Sequence, residues 1–294
     1  MKIRKAVIPV AGKGTRFLPA TKEIPKEMIP ILDKPMIHYA VEEAVLSGVE
    51  QVIFVTSTRK ETIENYFDRN FDLESFLEQV GKEKLLSQIK DIGSMIEVCT
   101  IRQKKQLGLG HAVLCAESIV GKEDFAVILG DDLVHSPTPA TKQLIEVYEA
   151  QSCRSVIGVM EVDRADTKKY GIVDGAFLEN DNRTMLMETM VEKPEPDQAP
   201  SLLASPGRYV LTSEIFDCLR EIPRGVGGEY QLTDAINLLA SKESVYAHRF
   251  IGDRFDTGNV PSYLNAVVEF ALRDKRYSEV MKKIILEKKI KLEK

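Results

Sequence analysis

Short apolar runs alternate with amphipathic segments along the first half of the chain. Each apolar run has the length of a buried strand, and the segment that follows it has apolar residues at helical spacing. The predicted strands are Ala6–Val10, Gln51–Thr56, Ile96–Arg102 and Phe125–Leu129. The predicted helices are Met36–Leu46, Lys60–Phe67, Leu109–Ile119 and Ala140–Gln151. This alternation predicts an α/β fold with a mostly parallel central sheet and helices on both faces.

Two loops of unusual composition follow predicted strands. Gly12 and Gly14 lie after the first strand, and Gly130, Asp131 and Asp132 lie after the fourth. In Rossmann-like sheets, ligands bind beyond the carboxyl ends of the strands. Although the two loops are far apart in the chain, we expect both to open onto one cleft at that edge.

The loop after the first strand combines small residues with positive charge. Ala11, Gly12 and Gly14 have little or no side chain, so the backbone there can approach a ligand closely. The chain has 40 Lys and Arg against 45 Asp and Glu, so this local charge does not follow from composition. The basic residues are Lys13, Arg16, Lys22 and Lys26. Backbone N–H groups beside fixed cations are typical of a phosphate-binding loop.

Two familiar phosphate loops do not fit this sequence. The dinucleotide fingerprint needs a third glycine where this chain has Phe17. The loop of P-loop NTPases ends in Gly-Lys-Ser/Thr, whereas Gly14 here precedes Thr15. Prolines at positions 19, 25 and 30 then predict a long extended loop instead of an immediate helix.

Composition narrows the class of protein further. A chain of 294 residues can bury a sizeable core, and 44% hydrophobic with 29% charged residues is ordinary for a globular protein. No apolar run approaches the ~20 residues of a membrane helix, and the net charge is −5, so we expect neither membrane nor nucleic-acid partners. The four cysteines form no C-x-x-C pair, which argues against a zinc or redox motif and fits a cytoplasmic location.

A longer pattern contains the basic loop. The segments Ala11–Lys22, Ile24–Met28 and Asp33–Pro35 resemble the N-terminal signature of the bacterial UTP–glucose-1-phosphate uridylyltransferases, a family of sugar-1-phosphate nucleotidylyltransferases. Further matching segments follow in the same order over most of the chain. They are Gln103–Ala112, Val127–Asp132, Lys169–Gly171, Val191–Pro194, Gly207–Tyr209, Gln231–Ala235 and Asp256–Gly258. The resemblance implies a Rossmann-like fold of the nucleotide-diphospho-sugar transferase type.

The resemblance also implies a reaction and a set of residues for it. UTP and glucose 1-phosphate would give UDP-glucose and pyrophosphate, by Mg²⁺-assisted in-line attack at the α-phosphate. The catalytic residues would be Arg16, Lys26, Asp131 and Lys193. The nucleotide-binding residues would be Ala11, Gly12, Gly14, Thr15, Arg16, Lys26, Glu27, Gln103 and Gly108. The sugar-phosphate residues would be Asp132, Gly171, Glu192, Lys193 and Gly207, and Asp131 and Asp256 would hold the metal.

Some of these residues have a second interpretation. Asp256 also fits a turn or helix cap, and His111, after a glycine-rich loop, is interpreted as structural or phosphate-adjacent because the reaction needs no imidazole. Leu202 departs from the family pattern, which commonly has asparagine there, and this bears on sugar selectivity.

Two rival functions are weighed against this one. A related nucleotidylyltransferase would use dTTP or another hexose 1-phosphate, and one methyl group in a pocket separates thymine from uracil by only ~1–3 kcal/mol. A non-catalytic nucleotide-sugar sensor would be expected to lack Asp131, Lys26 or Lys193, and the chain has all three. We expect a catalytic domain over residues 1–272, a C-terminal helical tail over 273–294, and a homodimer or homotetramer.

Overall fold

The structure is a computed structural model that describes residues 2–292. Strands and helices are numbered in chain order. The strands are β1 (Lys5–Pro9), β2 (Pro30–Ile31), β3 (Lys34–Pro35), β4 (Gln51–Thr56), β5 (Glu97–Arg102), β6 (Phe125–Ile128), β7 (Asp132–His135), β8 (Val156–Glu161), β9 (Gly171–Leu178), β10 (Asp181–Glu192), β11 (Leu203–Ser205), β12 (Arg208–Leu211), β13 (Tyr246–Arg249) and β14 (Asp253–Asp256). The helices are α1 (Met36–Leu46), α2 (Glu61–Tyr66), α3 (Phe71–Gln79), α4 (Glu83–Gly93), α5 (Leu109–Cys115), α6 (Glu117–Val120), α7 (Ala140–Ala150), α8 (Ile215–Glu221), α9 (Leu232–Lys242), α10 (Val260–Arg273) and α11 (Ser278–Leu292).

A ten-stranded sheet forms the centre of the molecule, in the order β11-β9-β10-β13-β8-β12-β6-β1-β4-β5. Strand β1 is parallel to β4 and β6, and β4 is parallel to β5, so the first half of the chain builds the parallel part that the alternation predicts. In the second half, β13 is parallel to β8, and the pairings of β9, β10, β11 and β12 are antiparallel. The α/β class and the Rossmann-like sheet are confirmed. The sheet as a whole is mixed, because the strands of the second half add antiparallel pairings to the parallel first half.

Both faces of the sheet are covered by helices. Successive side chains of a strand point to opposite faces. In β1, Val7 packs with the cluster under α5, α8 and α9, whereas Ala6 and Ile8 pack with the cluster under α1 and α7. In β4, Ile53 and Phe54 divide in the same way, and all five side chains are fully buried. Burial on both faces explains why these strands read as continuous apolar runs.

One predicted helix is divided in the structure. The segment Leu109–Ile119 forms α5 and α6, with Ala116 between them. The N–H of Ala116 donates to the carbonyl of Val113 at 3.0 Å, so hydrogen bonding tightens there from i→i−4 to i→i−3. Apolar spacing alone does not show such a local change of pitch.

The C-terminal region is helical, as the sequence predicts for the tail. Helix α11 begins at Ser278, and residues 293–294 of the predicted tail lie outside the described residues. Val280, Ile284 and Ile285 on this helix are exposed. Among the helices of residues 2–292, none is both long and apolar enough to cross a membrane.

Candidate active site

The loops after β1, β4 and β5 meet at the carboxyl edge of the parallel strands. They line a cleft of about 580 Å³, here called the strand-end cleft. Its lining residues include Gly12, Lys13, Lys22, Arg59, Lys60 and Gln103. The basic loop after β1 runs through short 3₁₀ turns at Thr15–Phe17, Ala20–Lys22 and Lys26–Met28, and so enters no immediate α-helix, as its prolines predict.

The backbone of the basic loop presents a row of hydrogen-bond donors. Within the described part of the chain, the N–H groups of residues 11–16 donate to no partner. Gly14 has φ 65°, a left-handed conformation that favours glycine, and its carbonyl accepts from Phe17 N and Thr21 Oγ1. With the loop held in this way, the free N–H groups are available to phosphate oxygens.

Lys26 lies beside the glycines of this loop and reaches the loop after β6. Its Nζ lies 2.5 Å from Asp131 Oδ2, and the pair is partly buried. Burial lowers the pKa of Lys26, but the negative charges of Asp131 and Glu27 outweigh it, so the pKa lies above its usual value. The predicted convergence of Lys26 and Asp131 is therefore present, and the ammonium stays charged.

Two carboxylates and one guanidinium converge near Gly258. A Cβ built on Gly258 would lie 3.0 Å from Asp256 Oδ1 and 3.3 Å from Asp131 Oδ2. It would lie 3.6 Å from a guanidinium nitrogen of Arg16. The strand pair β7–β14 places these aspartates together, and Thr257 fixes the turn by donating from its N–H and hydroxyl to the Asp131 carbonyl.

This pair of carboxylates fits a magnesium ion. Mg²⁺ commonly binds one or two protein carboxylates and completes its shell with water and substrate phosphates. Among residues 2–292 there is no group of three or more ligating side chains, so a closed protein cage is not the arrangement found here. Burial raises the pKa of Asp131, but Lys26 more than offsets it, so the pKa lies below the ordinary value and the carboxylate is ionised. Asp256 Oδ1 also accepts from Gly258 N at 2.7 Å, which is the alternative turn role seen in the sequence.

Asp132 points away from its neighbour and is buried in an ion pair. Its oxygens accept from Arg254 Nε at 2.7 Å and from a terminal guanidinium nitrogen at 2.5 Å. The same guanidinium donates to the Tyr170 hydroxyl at 2.6 Å and lies over the tyrosine ring. With both oxygens held by Arg254, Asp132 is placed to support the site, and its contact with a sugar hydroxyl stays a prediction.

Three of the predicted sugar-phosphate residues, Gly171, Glu192 and Lys193, meet where β9 begins and β10 ends. Glu192 Oε1 lies 3.0 Å from Lys193 Nζ, and Glu192 Oε2 accepts from Thr233 Oγ1 at 2.6 Å. A Cβ built on Gly171 would lie 2.3 Å from Met190 Cε and 3.4 Å from Glu192 Oε2, so a side chain there would require the end of Met190 to move. Lys193 has φ 45°, a conformation that a lysine rarely adopts without cost, which is a feature of functional sites.

The backbone of Lys193 connects this group to the aspartates. Its N–H donates to the Tyr170 carbonyl at 2.9 Å, and the Tyr170 side chain contacts Arg254. The Lys193 side chain is more than half exposed, so its ammonium can be reached by a ligand although it also pairs with Glu192.

Lys193→Ala should chiefly weaken the use of glucose 1-phosphate. Removing the ammonium takes one positive charge from beside the sugar phosphate, and we expect kcat/KM for glucose 1-phosphate to fall about 10²-fold, a loss near 2.7 kcal/mol. Steady-state kinetics with each substrate varied in turn measure this effect. The exposed Lys122→Ala is the control, and a Lys193→Ala enzyme with parental kcat/KM for glucose 1-phosphate would show that Lys193 does not hold it.

Glu27 is placed differently from the other predicted nucleotide-binding residues. Its carboxylate is only 2% exposed and accepts from Lys60 Nζ at 2.6 Å. Burial raises the pKa of Glu27, against the opposing charges of Lys60 and Lys26. The geometry gives Glu27 a buried ion pair next to Lys26, which positions the loop, and its contact with the nucleotide stays a prediction.

Gln103 and Gly108 are hydrogen-bonded to each other. Gln103 Nε2 donates to the Gly108 carbonyl at 3.1 Å and lies 3.0 Å from His111 Nδ1. Gly108 has φ 94°, and a Cβ there would lie 2.7 Å from Glu229 Cβ. The Ala11 carbonyl, across the cleft, accepts from Ser57 and Gln106 side chains, which leaves only its N–H free.

Gly207 packs beneath the metal-side turn. Its φ is 121°, and its carbonyl accepts from Leu129 N at 3.0 Å. The next residue, Arg208, is 1% exposed, pairs with Glu43, and donates to the Leu129 and Asp132 carbonyls. These contacts hold both ends of the Gly130–Asp131 turn, so Gly207 contributes packing there, and its approach to a sugar stays a prediction.

Gly207→Ala should lower the free energy of unfolding by about 2–4 kcal/mol, because an added Cβ would lie 2.4 Å from Leu129 Cδ1 in a left-handed backbone. Urea unfolding followed by circular dichroism measures the change. Gly81→Ala is the control, since Gly81 has φ 66° but no atom within 4 Å of an added Cβ. Equal losses in the two variants would show that backbone strain, and not packing on Leu129, sets the cost.

Several residues at the site were not found from the sequence. Lys60, Arg208, Thr233 and Arg254 each fix a predicted residue by a hydrogen bond or ion pair. Glu43 acts one step further away, because it pairs with Arg208. Arg208 and Thr233 lie inside segments that match the family, so the sequence indicated their positions but not their roles. Arg254 lies outside the matched segments, and its partner Asp132 is brought to it only by the β7–β14 pairing.

Comparisons with known proteins identify the family of this chain. The profile described as nucleotidyl transferase matches residues 5–272. The chain is 50% identical over 291 residues to UTP–glucose-1-phosphate uridylyltransferase 2 of Staphylococcus saprophyticus, covering 99% of each chain. It is 49% identical over 284 residues to UTP–glucose-1-phosphate uridylyltransferase of Staphylococcus epidermidis, covering 97% of this chain and 98% of the relative.

Solved structures give the same result. A UTP-bound UGPase from Acinetobacter baumannii superposes with a TM-score of 0.90 at 46% identity, covering 97% of this chain and 99% of that one. A UDP-glucose pyrophosphorylase complexed with UDP-glucose superposes with a TM-score of 0.85 at 41% identity, covering 93% of this chain and 100% of that one. A match over nearly the whole length, together with the basic loop and the paired aspartates at the strand ends, places this chain in the nucleotidyl transferase family.

Proposed function

We propose that this chain transfers a uridylyl group from UTP to glucose 1-phosphate, giving UDP-glucose and pyrophosphate. The observation that carries the proposal is the convergence of Arg16 and Lys26 on the carboxylates of Asp131 and Asp256, with Lys26 lying beside the loop whose backbone N–H groups are unpaired. The similar uridylyltransferases, including one structure with UTP and one with UDP-glucose, support this choice of nucleotide and product.

The reaction requires two anions to approach each other. Two unit charges ~4 Å apart repel by about 4 kcal/mol at an effective dielectric near 20, and each substrate carries more than one charge. Positioning and charge neutralisation therefore matter more than a covalent nucleophile. A phosphate oxygen of glucose 1-phosphate attacks the α-phosphorus of UTP, and the bond to pyrophosphate breaks in line.

The residues of this chain divide that task. The backbone N–H groups of residues 11–16 and the Arg16 guanidinium bind the phosphates of UTP, and Lys26 neutralises charge at the reacting phosphate. Lys193 binds the phosphate of glucose 1-phosphate, and Glu192, oriented by Thr233, accepts from a sugar hydroxyl. Mg²⁺, held by Asp131 and Asp256, would neutralise phosphate charge and orient the phosphate oxygens.

Nucleotide choice tests this function directly. We expect kcat/KM with glucose 1-phosphate and Mg²⁺ to be highest for UTP, lower for dTTP and far lower for ATP and GTP, because a purine would leave buried polar groups unpaired at ~1–3 kcal/mol each. A panel of nucleotides and hexose 1-phosphates with pyrophosphate detection measures this. A higher value for ATP or GTP than for UTP would contradict the uridylyltransferase function and leave the family standing.

Two further expectations remain predictions. We propose a cytoplasmic enzyme that assembles as a homodimer or homotetramer. The scattered cysteines, which form no paired motif, fit the first, and the exposed apolar side chains of α10 and α11 fit the second. Light scattering of the purified protein measures the assembly.

A further inference from the structure

The side-chain amide of Gln103 is held on one side by two hydrogen-bond acceptors. Gln103 is only 6% exposed, and its Nε2 lies 3.1 Å from the Gly108 carbonyl and 3.0 Å from His111 Nδ1. A carbonyl oxygen can only accept, so the amide nitrogen, and not the oxygen, must face Gly108. Both N–H groups of the amide are thereby used within the protein.

The amide oxygen is left for a ligand. No donor among the described residues reaches Gln103 Oε1, and Gln103 is one of the residues that line the strand-end cleft. The amide, which in isolation offers two donors and an acceptor, therefore presents only an acceptor to the cleft.

His111 can accept this hydrogen bond only as a neutral ring with its proton on Nε2. The ring is stacked on Tyr230, with centroids 6.2 Å apart and planes at 25°, and Cys115 Sγ lies 3.8 Å from Nδ1. The Arg224 guanidinium lies over the Tyr230 ring, 5.5 Å from its centroid. Burial and the Arg224 charge lower the pKa of His111, which favours the neutral ring.

We propose that His111 is a specificity-determining residue, which fixes the Gln103 amide so that the cleft accepts a pyrimidine with a ring N–H and rejects one without it. Uracil has a donor at its ring N3, which can bond to Gln103 Oε1. Cytosine has a lone pair at the same atom, which would face the amide oxygen. The inference rests on the proposed function and explains how that site would separate UTP from CTP.

Two variants of His111 test the proposal. His111→Phe keeps an aromatic ring against Tyr230 but removes one of the two acceptors that hold the Gln103 amide. The amide then keeps only the Gly108 hydrogen bond, so it turns more easily to offer an N–H to cytosine. His111→Asn keeps an acceptor oxygen close to the position of Nδ1. The quantity measured is the ratio of kcat/KM for UTP to that for CTP, with glucose 1-phosphate and Mg²⁺ fixed. The two nucleotides share ribose and triphosphate, and the ratio does not depend on the folded fraction.

The parent should prefer UTP strongly, His111→Phe should lower the ratio about tenfold, and His111→Asn should keep most of it. A purely structural role would weaken both nucleotides equally and leave the ratio unchanged, and that result in His111→Phe would overturn the inference. Equal loss of the ratio in both variants would also overturn it, since the ring and not the acceptor would then matter. A parent that fails to prefer UTP would instead count against the proposed function.

Discussion

Asp131→Asn is expected to lower kcat by about 10²–10⁴-fold while the fold is retained. The substitution keeps the shape of the side chain but removes the charge that pairs with Lys26 at 2.5 Å and that would bind Mg²⁺ beside Asp256. A neutral amide is a much weaker ligand for a hard cation than a carboxylate. The turn itself should survive, because it is held through the Asp131 main-chain carbonyl by Thr257.

Turnover at several Mg²⁺ concentrations, with circular dichroism as the check on folding, measures this prediction. The exposed Asp197→Asn makes the same chemical change away from the site and serves as the control. Turnover close to that of the parent in saturating Mg²⁺ would remove Asp131 from the metal site.

Lys26→Ala is expected to lower kcat/KM for UTP by about 10²–10³-fold. The variant loses the ammonium next to the reacting phosphates, and Asp131 loses its partner. Burial raises the pKa of Asp131 and Lys26 opposes it, so the pKa should rise once Lys26 is gone. Since Asp131 acts in its ionised form, the acid limb of the pH–rate profile should move to higher pH.

The pH dependence of kcat/KM separates this role from a general loss of binding. Lys122→Ala, on an exposed loop, removes a lysine charge far from the strand ends and should change neither quantity. If Lys26→Ala reduced the rate without moving the acid limb, the lysine would act on phosphate alone and its coupling to Asp131 would be disproved.

The local pattern predicted the first half of the fold well. Helix Met36–Leu46 and strand Gln51–Thr56 have the predicted bounds, because each is bounded by residues that change the periodicity. The antiparallel half of the sheet could not be predicted from the local pattern. Its longest pairing, β9 with β10, has register shifts between Asp181 and Met185 and between Met187 and Thr189, and the partners of β11 and β12 are distant in the chain. Pairings of this kind depend on contacts that no short window of sequence contains.

The meeting of the basic loop with Asp131 was predictable in the same way. Parallel strands end at one edge, so loops that follow them converge whatever their separation in the chain. The roles of Asp132 and Glu27 were not predictable, because each sits next to a residue that faces the site. Asp132 turns to Arg254 and Glu27 to Lys60, and both partners come from other elements.

The sequence by itself determined the α/β class, the edge at which ligands bind and the residue types available there, since these follow from periodicity and from the ends of strands. Only the tertiary structure decided which oxygen or nitrogen of each residue remains free. Gln103 presents an acceptor because Gly108 and His111 take its donors, and the neighbouring aspartates differ because Asp131 pairs with Lys26 whereas Arg254 holds Asp132. Which donor or acceptor atoms of a side chain remain free for a ligand depends on the hydrogen bonds that the side chain already makes, and the fold supplies the partners of those bonds.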